Sequence, residues 1–246
     1  MALILVSSPS LSRDAGGPDL SLICEDAAWR ASTATGVPVS VLKAISLNET
    51  GRKLGGKIRP WPWTVNMEGK GLWFDTEGEA RAYVDEHFKR GARSFDVGCF
   101  QINYRWHGEA FSSIEEMFDP IANALYAARF LKDLHSETGS WSKAAGAYHS
   151  RTPSYAEKYA ARFDTFRSRF QHEDGSEIPE IPDIVLVANG GVIEAPRTGA
   201  GQPRLAEIRV NSYPLLQTGN SGSLGSLVPI GVGGGTALFG PRSEVN

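Results

Sequence analysis

The sequence has few cysteines and no cluster of metal-binding side chains. Its two cysteines, Cys24 and Cys99, lie far apart, and its five histidines are dispersed along the chain. Zinc sites need several Cys, His or carboxylate ligands at close spacing, so the pattern predicts no metal, and no motif indicates a cofactor. An even cysteine count permits one disulfide in an exported protein. Two buried thiols are the alternative, and the sequence slightly favours them.

Long apolar runs and an excess of basic residues are also missing. No run approaches the roughly 18 apolar residues that span a bilayer, so we expect a soluble chain without membrane insertion. The net charge of −3 and the pI near 6.0 give no basic surface of the kind that binds nucleic acid. Residues 1–12 hold a short apolar stretch without the basic region of a signal peptide. An export-signal remnant and a disordered N-terminus are the alternatives there.

Aromatic residues become scarce after residue 170. All six tryptophans precede that point, whereas residues 171–246 are rich in Gly, Pro and Ser, with Tyr213 and Phe239 as their only aromatics. Such a segment buries too little apolar area to offset its ordering entropy. The sequence therefore predicts a flexible N-terminus or signal remnant over 1–18, a folded domain over 19–170 and a flexible tail over 171–246.

The predicted tail is acidic and has two short apolar patches. Four arginines against eight acidic residues give it a net charge of −4 and leave +1 for residues 1–170. The patches at 184–188 and 227–230 are either docking motifs that order on a partner or incidental apolar residues of a linker.

Residues 20–170 follow mainly helical periodicity. Proline, glycine and capping residues mark where most of the helices begin and end. The predicted helices are one over residues 20–31 before Gly36, one from Pro38 to Glu49, one capped by Thr76 and Glu79 and ended by Gly91, one from Asp119-Pro120 to Gly139, a short one beginning near Trp141, and a last one with the stripe Tyr155, Tyr159, Phe163, Phe166 and Phe170.

The stretch between Thr50 and Thr76 breaks the helical pattern. Residues 61–66 and 71–74, separated by Glu-Gly-Lys, indicate a small hairpin. The predicted fold class is mainly α with a minor β insert.

Glu49 is a candidate acid or base. It lies four residues after Ile45 and eight after Val41, so it continues the apolar ridge of the second helix. Partial burial favours the neutral form of a carboxyl and would make it a proton donor near neutral pH. A solvated or helix-capping glutamate is the more common alternative at a helix end.

Two further segments place polar groups among apolar residues. Residues 98–103, Gly-Cys-Phe-Gln-Ile-Asn, contain two amides that suit the hydroxyl and acetamido groups of a sugar. Residues 147–149, Ala-Tyr-His, add a phenol and an imidazole. For each segment alone, core packing is the favoured interpretation.

In this order and combination the segments resemble the motifs of soluble lytic transglycosylases, whose fold is similar to goose-type lysozyme. The resemblance depends on Glu49-Thr50-Gly51, on 98–103, on 147–149 and on Tyr159, and it covers about residues 20–170. The family usually has Glu-Ser, Gly-Leu-Met-Gln and Ala-Tyr-Asn followed by a distal Tyr. Here a threonine replaces the serine, Cys-Phe replaces Leu-Met, and a histidine replaces the asparagine.

The resemblance implies an enzyme that cleaves the β-1,4 bond between N-acetylmuramic acid and N-acetylglucosamine in peptidoglycan glycan strands. Glu49 would protonate the glycosidic oxygen and then accept the proton of the muramoyl C6 hydroxyl, which attacks C1 to form a 1,6-anhydro ring. One carboxylate serves both steps because the nucleophile belongs to the substrate, whereas most glycosidases need a pair. The implied substrate-binding residues are Thr50, Phe100, Gln101, Asn103, Tyr148, His149 and Tyr159.

Several alternatives stay open. Tyr155 could take the place of Tyr159, and Asp96 either stabilises a turn, which is favoured, or orients a hydrolytic water. Trp61, Trp63 and Trp73 either stack on sugar rings or form a core of the insert.

The alternative functions are a lysozyme-like hydrolase and a wall-binding assembly protein. We expect the protein to be a monomer. Because peptidoglycan lies outside the cytoplasmic membrane, we expect it to work in the periplasm. We hypothesise that the tail recruits flagellar rod or secretion-system proteins.

Overall fold

The computed structural model of the chain describes residues 19–179, 184–186 and 192–194, so that residues 1–18 and the patch at 227–230 lie outside the described part. The α-helices are α1 (Ser21–Thr35), α2 (Val39–Thr50), α3 (Glu77–Lys89), α4 (Tyr104–His107), α5 (Ile114–Phe118), α6 (Pro120–Thr138), α7 (Trp141–His149) and α8 (Pro153–Arg167). The strands are β1 (Arg52–Leu54), β2 (Lys57–Arg59), β3 (Thr64–Met67), β4 (Lys70–Trp73), β5 (Phe95–Val97), β6 (Ile102–Asn103), β7 (Ile184–Leu186) and β8 (Val192–Glu194).

The predicted fold class, mainly α with a small antiparallel insert, is confirmed and is consistent with a lysozyme-like helical fold. Helices α1 and α6 end at glycines in the left-handed conformation, Gly36 with φ 75° and Gly139 with φ 74°. Thr76 and Glu79 form the predicted capping box of α3. The local signals therefore located these boundaries correctly.

The last predicted helix differs from the observed one at both ends of its apolar stripe. Helix α8 ends at Arg167, so Phe170 lies beyond it, and Tyr155 is 53% exposed. The buried stripe of α8 consists of Tyr159, Phe163 and Phe166.

The core lies between α1, α2, α6, α7 and α8, which pack against one another in sequence-distant pairs such as α1 with α6 and α2 with α8. Helices α7 and α8 approach closely because Gly146 has no side chain. A Cβ at that position would lie 2.9 Å from the carbonyl oxygen of Ala156. The packing brings the end of α2 against the middle of α8.

The main sheet has the strand order β4-β3-β5-β6, all antiparallel. The predicted hairpin corresponds to β3 and β4, although β3 begins only at Thr64. Strands β5 and β6 and the separate β1–β2 hairpin were not predicted, because each has at most three residues and shows no clear alternation. The register places Asn66, Asp96 and Asn103 side by side across three strands.

The packed domain continues past residue 170. The Asp174 carboxylate accepts hydrogen bonds from the backbone and the hydroxyl of Ser40 at the start of α2, at 2.9 and 2.7 Å. Glu173 accepts a hydrogen bond from Lys43. Further along, β7 pairs antiparallel with β8, a pairing that the tail composition did not predict. No helix of the described residues is long and apolar enough to cross a membrane.

A disulfide joins Cys24 of α1 to Cys99, which lies between β5 and β6. The preference for two buried thiols was therefore wrong. Periodicity places Cys24 on a buried helix face but gives no information on which distant residue it meets. The bond ties the turn that carries Gln101 to the helical core.

We expect the Cys24→Ala/Cys99→Ala double variant to lose about 4 kcal/mol of unfolding free energy, because the crosslink restricts the unfolded chain. The bond spans 75 residues, which makes it a long-loop crosslink. Urea denaturation measures the loss. A reductant should destabilise the wild-type chain similarly and leave the double variant unchanged. An equal effect of reductant on both chains would contradict the prediction.

Candidate active site

The centre of the site is a hydrogen bond between two helices. Glu49 lies in the last turn of α2, and the Tyr159 hydroxyl on α8 donates to its Oε1 at 2.6 Å. Tyr159 is buried, whereas Tyr155 faces solvent. The structure thus brings Tyr159, and not Tyr155, to the carboxyl of Glu49.

The surroundings of Glu49 change its proton affinity. Burial raises the pKa of its carboxyl to about 7, against the opposing effects of the Tyr159 hydroxyl and the Arg162 guanidinium. The side chain nevertheless keeps partial access to solvent. A carboxyl of this kind is substantially protonated near neutral pH and can exchange its proton with a bound molecule.

Arg162 is a site residue that the sequence analysis missed. Its Nη2 donates to the backbone carbonyl of Asn48 at 2.9 Å, directly before Glu49. Asn48 in turn donates from Nδ2 to the carbonyl of Tyr159 at 3.4 Å. The spacing of three residues between Tyr159 and Arg162 was the available signal, since it places both on the same side of a helix.

His149 packs directly on the tyrosine. Its ring stacks on that of Tyr159 with centroids 4.5 Å apart and an interplanar angle of 12°. Burial, with the Arg162 charge adding to it, lowers the pKa of the imidazole. His149 is therefore neutral near pH 7 and holds the phenol ring in place.

The turn between β5 and β6 has a constrained backbone. Gly98 has φ 81°, and a Cβ there would lie 2.8 Å from the side chain of Asn123. Asn123 accepts from the backbone N–H of Phe100 at 2.9 Å and donates to the carbonyl of Val97 at 3.1 Å. Asn123 was not predicted, and its position in the first turn of α6 gave no sign that it braces this turn.

Gln101 occupies the left-handed region with φ 48°, which is uncommon for a residue with a side chain. Its Nε2 donates to the carbonyls of Thr64 and Gly98, both at 3.0 Å. The amide is thus held in one orientation by the sheet. Strained backbone of this kind concentrates at functional sites.

Four other predicted residues have buried side chains with partners inside the protein. The Tyr148 hydroxyl donates to the carbonyl of Phe100 at 2.7 Å. The Thr50 hydroxyl donates to the carbonyl of Ser46 at 2.8 Å and accepts from the Trp61 N–H at 3.1 Å. Asn103 donates from Nδ2 to Asp96. These contacts brace the site from behind, and direct substrate contact by Thr50, Phe100, Asn103 or Tyr148 stays a prediction.

Asp96 is a second buried carboxyl near Glu49. It is only 3% exposed, and its two oxygens accept from Asn103 Nδ2 at 2.9 Å and Asn66 Nδ2 at 3.0 Å. Burial raises the pKa of Asp96 well above its usual range; Asn103 opposes the shift and the Glu49 charge adds to it. Asp96 lies within β5 and bridges Asn66 and Asn103 on the neighbouring strands, so that it stabilises the two strands that flank the β5–β6 turn.

The three tryptophans of the insert divide between core and surface. Trp63 is fully buried and Trp61 nearly so, and these two form part of the core. Trp73 is 48% exposed, and its Nε1 donates to the carbonyl of Thr50 at 3.1 Å. Of the three, Trp73 alone presents an exposed ring, and it contacts the residue that follows Glu49 in the chain.

Residues 78–164 match the family model described as the transglycosylase SLT domain. Within these residues the chain is similar to an SLT domain. The recognition based on the sequence motifs is confirmed. No curated protein and no solved structure gives a significant match.

The matched segment of the SLT domain contains Asp96, Gln101, Tyr148, His149 and Tyr159, but it begins after Glu49. Glu49 lies before the matched segment, but the packing of α2 on α8 brings it into contact with Tyr159, which lies within that segment. Members of this family are lytic transglycosylases that act on peptidoglycan outside the cytoplasm. Among the described residues no group of His, Cys, Asp or Glu could hold a metal ion.

We expect the Glu49→Gln variant to be more stable than the wild-type chain at pH 8, by on the order of 3 kcal/mol. A carboxyl whose folded pKa is raised binds its proton more tightly when folded, so stability falls as the pH rises from about 4.5, the ordinary value, to about 7. Glutamine keeps an acceptor for Tyr159 and removes the titration. The difference should shrink towards zero at pH 4.5.

Urea denaturation at the two pH values measures the effect. Glu157→Gln, which changes an exposed glutamate of α8, is the matched control and should show no comparable gain. An equal gain at pH 4.5 and pH 8 would show that the stabilisation of the Glu49 variant does not come from ionisation.

Proposed function

We propose that this SLT domain is a lytic transglycosylase that cleaves the MurNAc–GlcNAc β-1,4 bond and forms 1,6-anhydroMurNAc, with Glu49 as its catalytic acid and base. The observation that supports this best is the environment of Glu49. Glu49 is a half-buried residue whose carboxyl has a pKa raised to about 7 and accepts a hydrogen bond from Tyr159. A lyase that uses one carboxyl in both roles needs a group that changes protonation state near neutral pH.

In the first step, the protonated Glu49 donates its proton to the glycosidic oxygen as the bond to C1 breaks. In the second step, the resulting carboxylate accepts the proton of the muramoyl C6 hydroxyl, whose oxygen attacks C1. The Tyr159 hydroxyl stabilises the carboxylate between the two steps, and Arg162 contributes positive charge nearby. The substrate supplies the nucleophile, so no second catalytic carboxyl is required.

Substrate binding is assigned to the residues that surround this carboxyl. Gln101, fixed by two backbone carbonyls, is placed to present its remaining amide oxygen to an N-acetyl group. His149 completes the wall next to Tyr159. Phe100, Tyr148, Thr50 and Asn103 shape the same wall.

Hydrolysis by a lysozyme-like mechanism is the second candidate function, and Asp96 favours it. A buried carboxyl that interacts electrostatically with Glu49 could orient a water molecule for attack on C1. The products distinguish the two reactions, because hydrolysis leaves a free reducing end and the lyase reaction leaves an anhydro ring.

We expect mass spectrometry of purified sacculi digested with the wild-type chain to show anhydro-muropeptides. Glu49→Gln should lower their yield at least 1000-fold, since it removes the only proposed proton donor. Asp96→Asn, which keeps the shape of the side chain, is the comparison variant. Reducing-end products that disappear with Asp96→Asn would replace the lyase assignment with a hydrolase.

The pH profile gives a further expectation. Because the free enzyme needs a protonated Glu49, kcat/KM should fall as the pH rises through about 7. Tyr159→Phe removes a hydrogen bond that favours the charged carboxyl, so this alkaline limb should move to higher pH while kcat falls about tenfold or more. Tyr155→Phe on the exposed side of α8 is the matched control. If the wild type and Tyr159→Phe had identical pH profiles, the ionisation of Glu49 would not be the cause of this limb.

The cellular setting is inferred from the substrate. We propose a periplasmic location because peptidoglycan lies outside the cytoplasmic membrane, and we propose that the chain works as a monomer. Recruitment through residues 171–246 to flagellar rod or secretion-system proteins is a hypothesis suggested by the acidic composition of that segment. Equal recovery of envelope partners by full-length and tail-deleted chains would contradict it.

A further inference from the structure

The hairpin formed by β1 and β2 stands out from the domain immediately after α2. Residues 53–58 are all exposed, whereas Arg52 and Arg59 at the base of the hairpin are half-buried. The two-residue turn has Gly55 at φ 54° and Gly56 at φ 79°, a left-handed conformation that glycine adopts without strain. Both faces of the hairpin tip are therefore open to the surroundings.

The tip of the hairpin carries two cations that no acid of the domain neutralises. Residues 52–59 contain four basic residues and no acidic one. The two arginines at the base form ion pairs with Asp19 and Asp75. Lys53 and Lys57 are exposed and have no ion pair within the described part of the chain. A partner that suits the tip therefore carries negative charge.

Exposed apolar side chains lie next to these cations. In the described part of the chain, three of the five large apolar side chains that are exposed belong to the insert: Leu54, Ile58 and Trp73. Lys53 pairs with Ile58 across the two strands. Leu54 pairs with Lys57 in the same way, so each lysine has an apolar neighbour on its own face of the hairpin.

Trp73 extends this surface towards the end of α2. Its Nε1 donates to the carbonyl of Thr50 at 3.1 Å. Ile58 lies against the next residue, since a Cβ on Gly51 would come within 2.8 Å of the Ile58 Cγ2. The two exposed side chains thus contact adjacent residues of the chain and belong to one surface. This surface is called the hairpin face and comprises Lys53, Leu54, Lys57, Ile58 and Trp73.

We propose that the hairpin face binds the domain to an anionic lipid surface. Lysine side chains attract acidic headgroups, while indole and aliphatic side chains enter the boundary between headgroups and acyl chains. A narrow tip that is open on both faces suits this soft boundary, whereas a folded protein partner needs a larger matching surface. The contact is peripheral, because the hairpin strands have three residues each and are too short to span a bilayer.

The lipid contact would place the carboxyl of Glu49 near the membrane. Glu49 precedes the start of β1 by three residues, a distance of about 10 Å in extended chain. The domain would then cleave the glycan strands that lie closest to the lipid surface. This consequence rests on the proposed function, whereas the lipid contact itself does not depend on catalysis.

The first experiment is co-sedimentation of the full chain with lipid vesicles. We expect binding to vesicles of phosphatidylglycerol mixed with phosphatidylcholine, and weaker binding as the salt concentration rises. Lys53→Glu/Lys57→Glu should lower the partition coefficient at least about tenfold. Lys132→Glu/Lys143→Glu reverses two exposed lysines on α6 and α7, has the same net charge, and should bind like the wild type.

Two outcomes would overturn the proposal. The first is a wild-type chain that does not bind the anionic vesicles, or that loses binding equally in the two double variants. The second is a chain that sediments with purified sacculi but not with vesicles, and that loses this binding in Lys53→Glu/Lys57→Glu. That result would assign the hairpin face to a wall polymer.

The second experiment uses tryptophan fluorescence to identify the side chains that enter the lipid. Emission of the wild type should shift to shorter wavelength when anionic vesicles are added, because Trp73 leaves water. Trp73→Phe keeps an apolar ring, so it should still bind but lose most of the shift. Leu54→Ser should weaken binding severalfold even at high salt, since it removes apolar area. An undiminished shift in Trp73→Phe would contradict the proposed contact.

Discussion

The Glu49 carboxyl is placed where two helices exclude most of the surrounding water, and the rest of the site depends on this constraint. Desolvation alone would raise the pKa of the carboxyl further. The hydrogen bond from Tyr159 and the charge of Arg162 oppose it and bring the pKa back to about 7. The pKa of Glu49 is thus set by burial between α2 and α8, which raises it, and by two polar groups on α8, which lower it. Any change in how these helices pack would alter it.

The packing that sets this balance is braced from the opposite side by the sheet. The disulfide between Cys24 and Cys99 ties the β5–β6 turn to α1, and Asn123 of α6 holds the same turn by two hydrogen bonds. Gln101 is kept in a left-handed backbone conformation within that turn. A strained backbone of this kind persists only where the surrounding structure holds it in place. Here the disulfide and the buried Asn123 amide do so.

Local patterns predicted the helices well because they depend on nearest neighbours along the chain. Gly36, Gly139 and the Thr76 capping box are examples, since each satisfies backbone groups within a few residues. Asp96 could not be understood in this way. Its partners Asn66 and Asn103 are 30 and 7 residues away and meet it only through strand register. Likewise, the choice of Tyr159 over Tyr155 required the packing of α2 on α8.

The insert after α2 has a structural role at the end of that helix. The backbone carbonyl of Thr50 accepts a hydrogen bond from the indole N–H of Trp73. The Thr50 hydroxyl accepts one from the backbone N–H of Trp61. Gly51 is required next to it because a Cβ would collide with the Leu47 carbonyl at 2.5 Å and with Ile58. The two hairpins therefore close over the end of α2 and hold Glu49 in position. The same contacts leave the Trp73 ring half exposed at the end of α2. The position of the Glu49-Thr50 motif thus depends on a segment that the motif itself does not include.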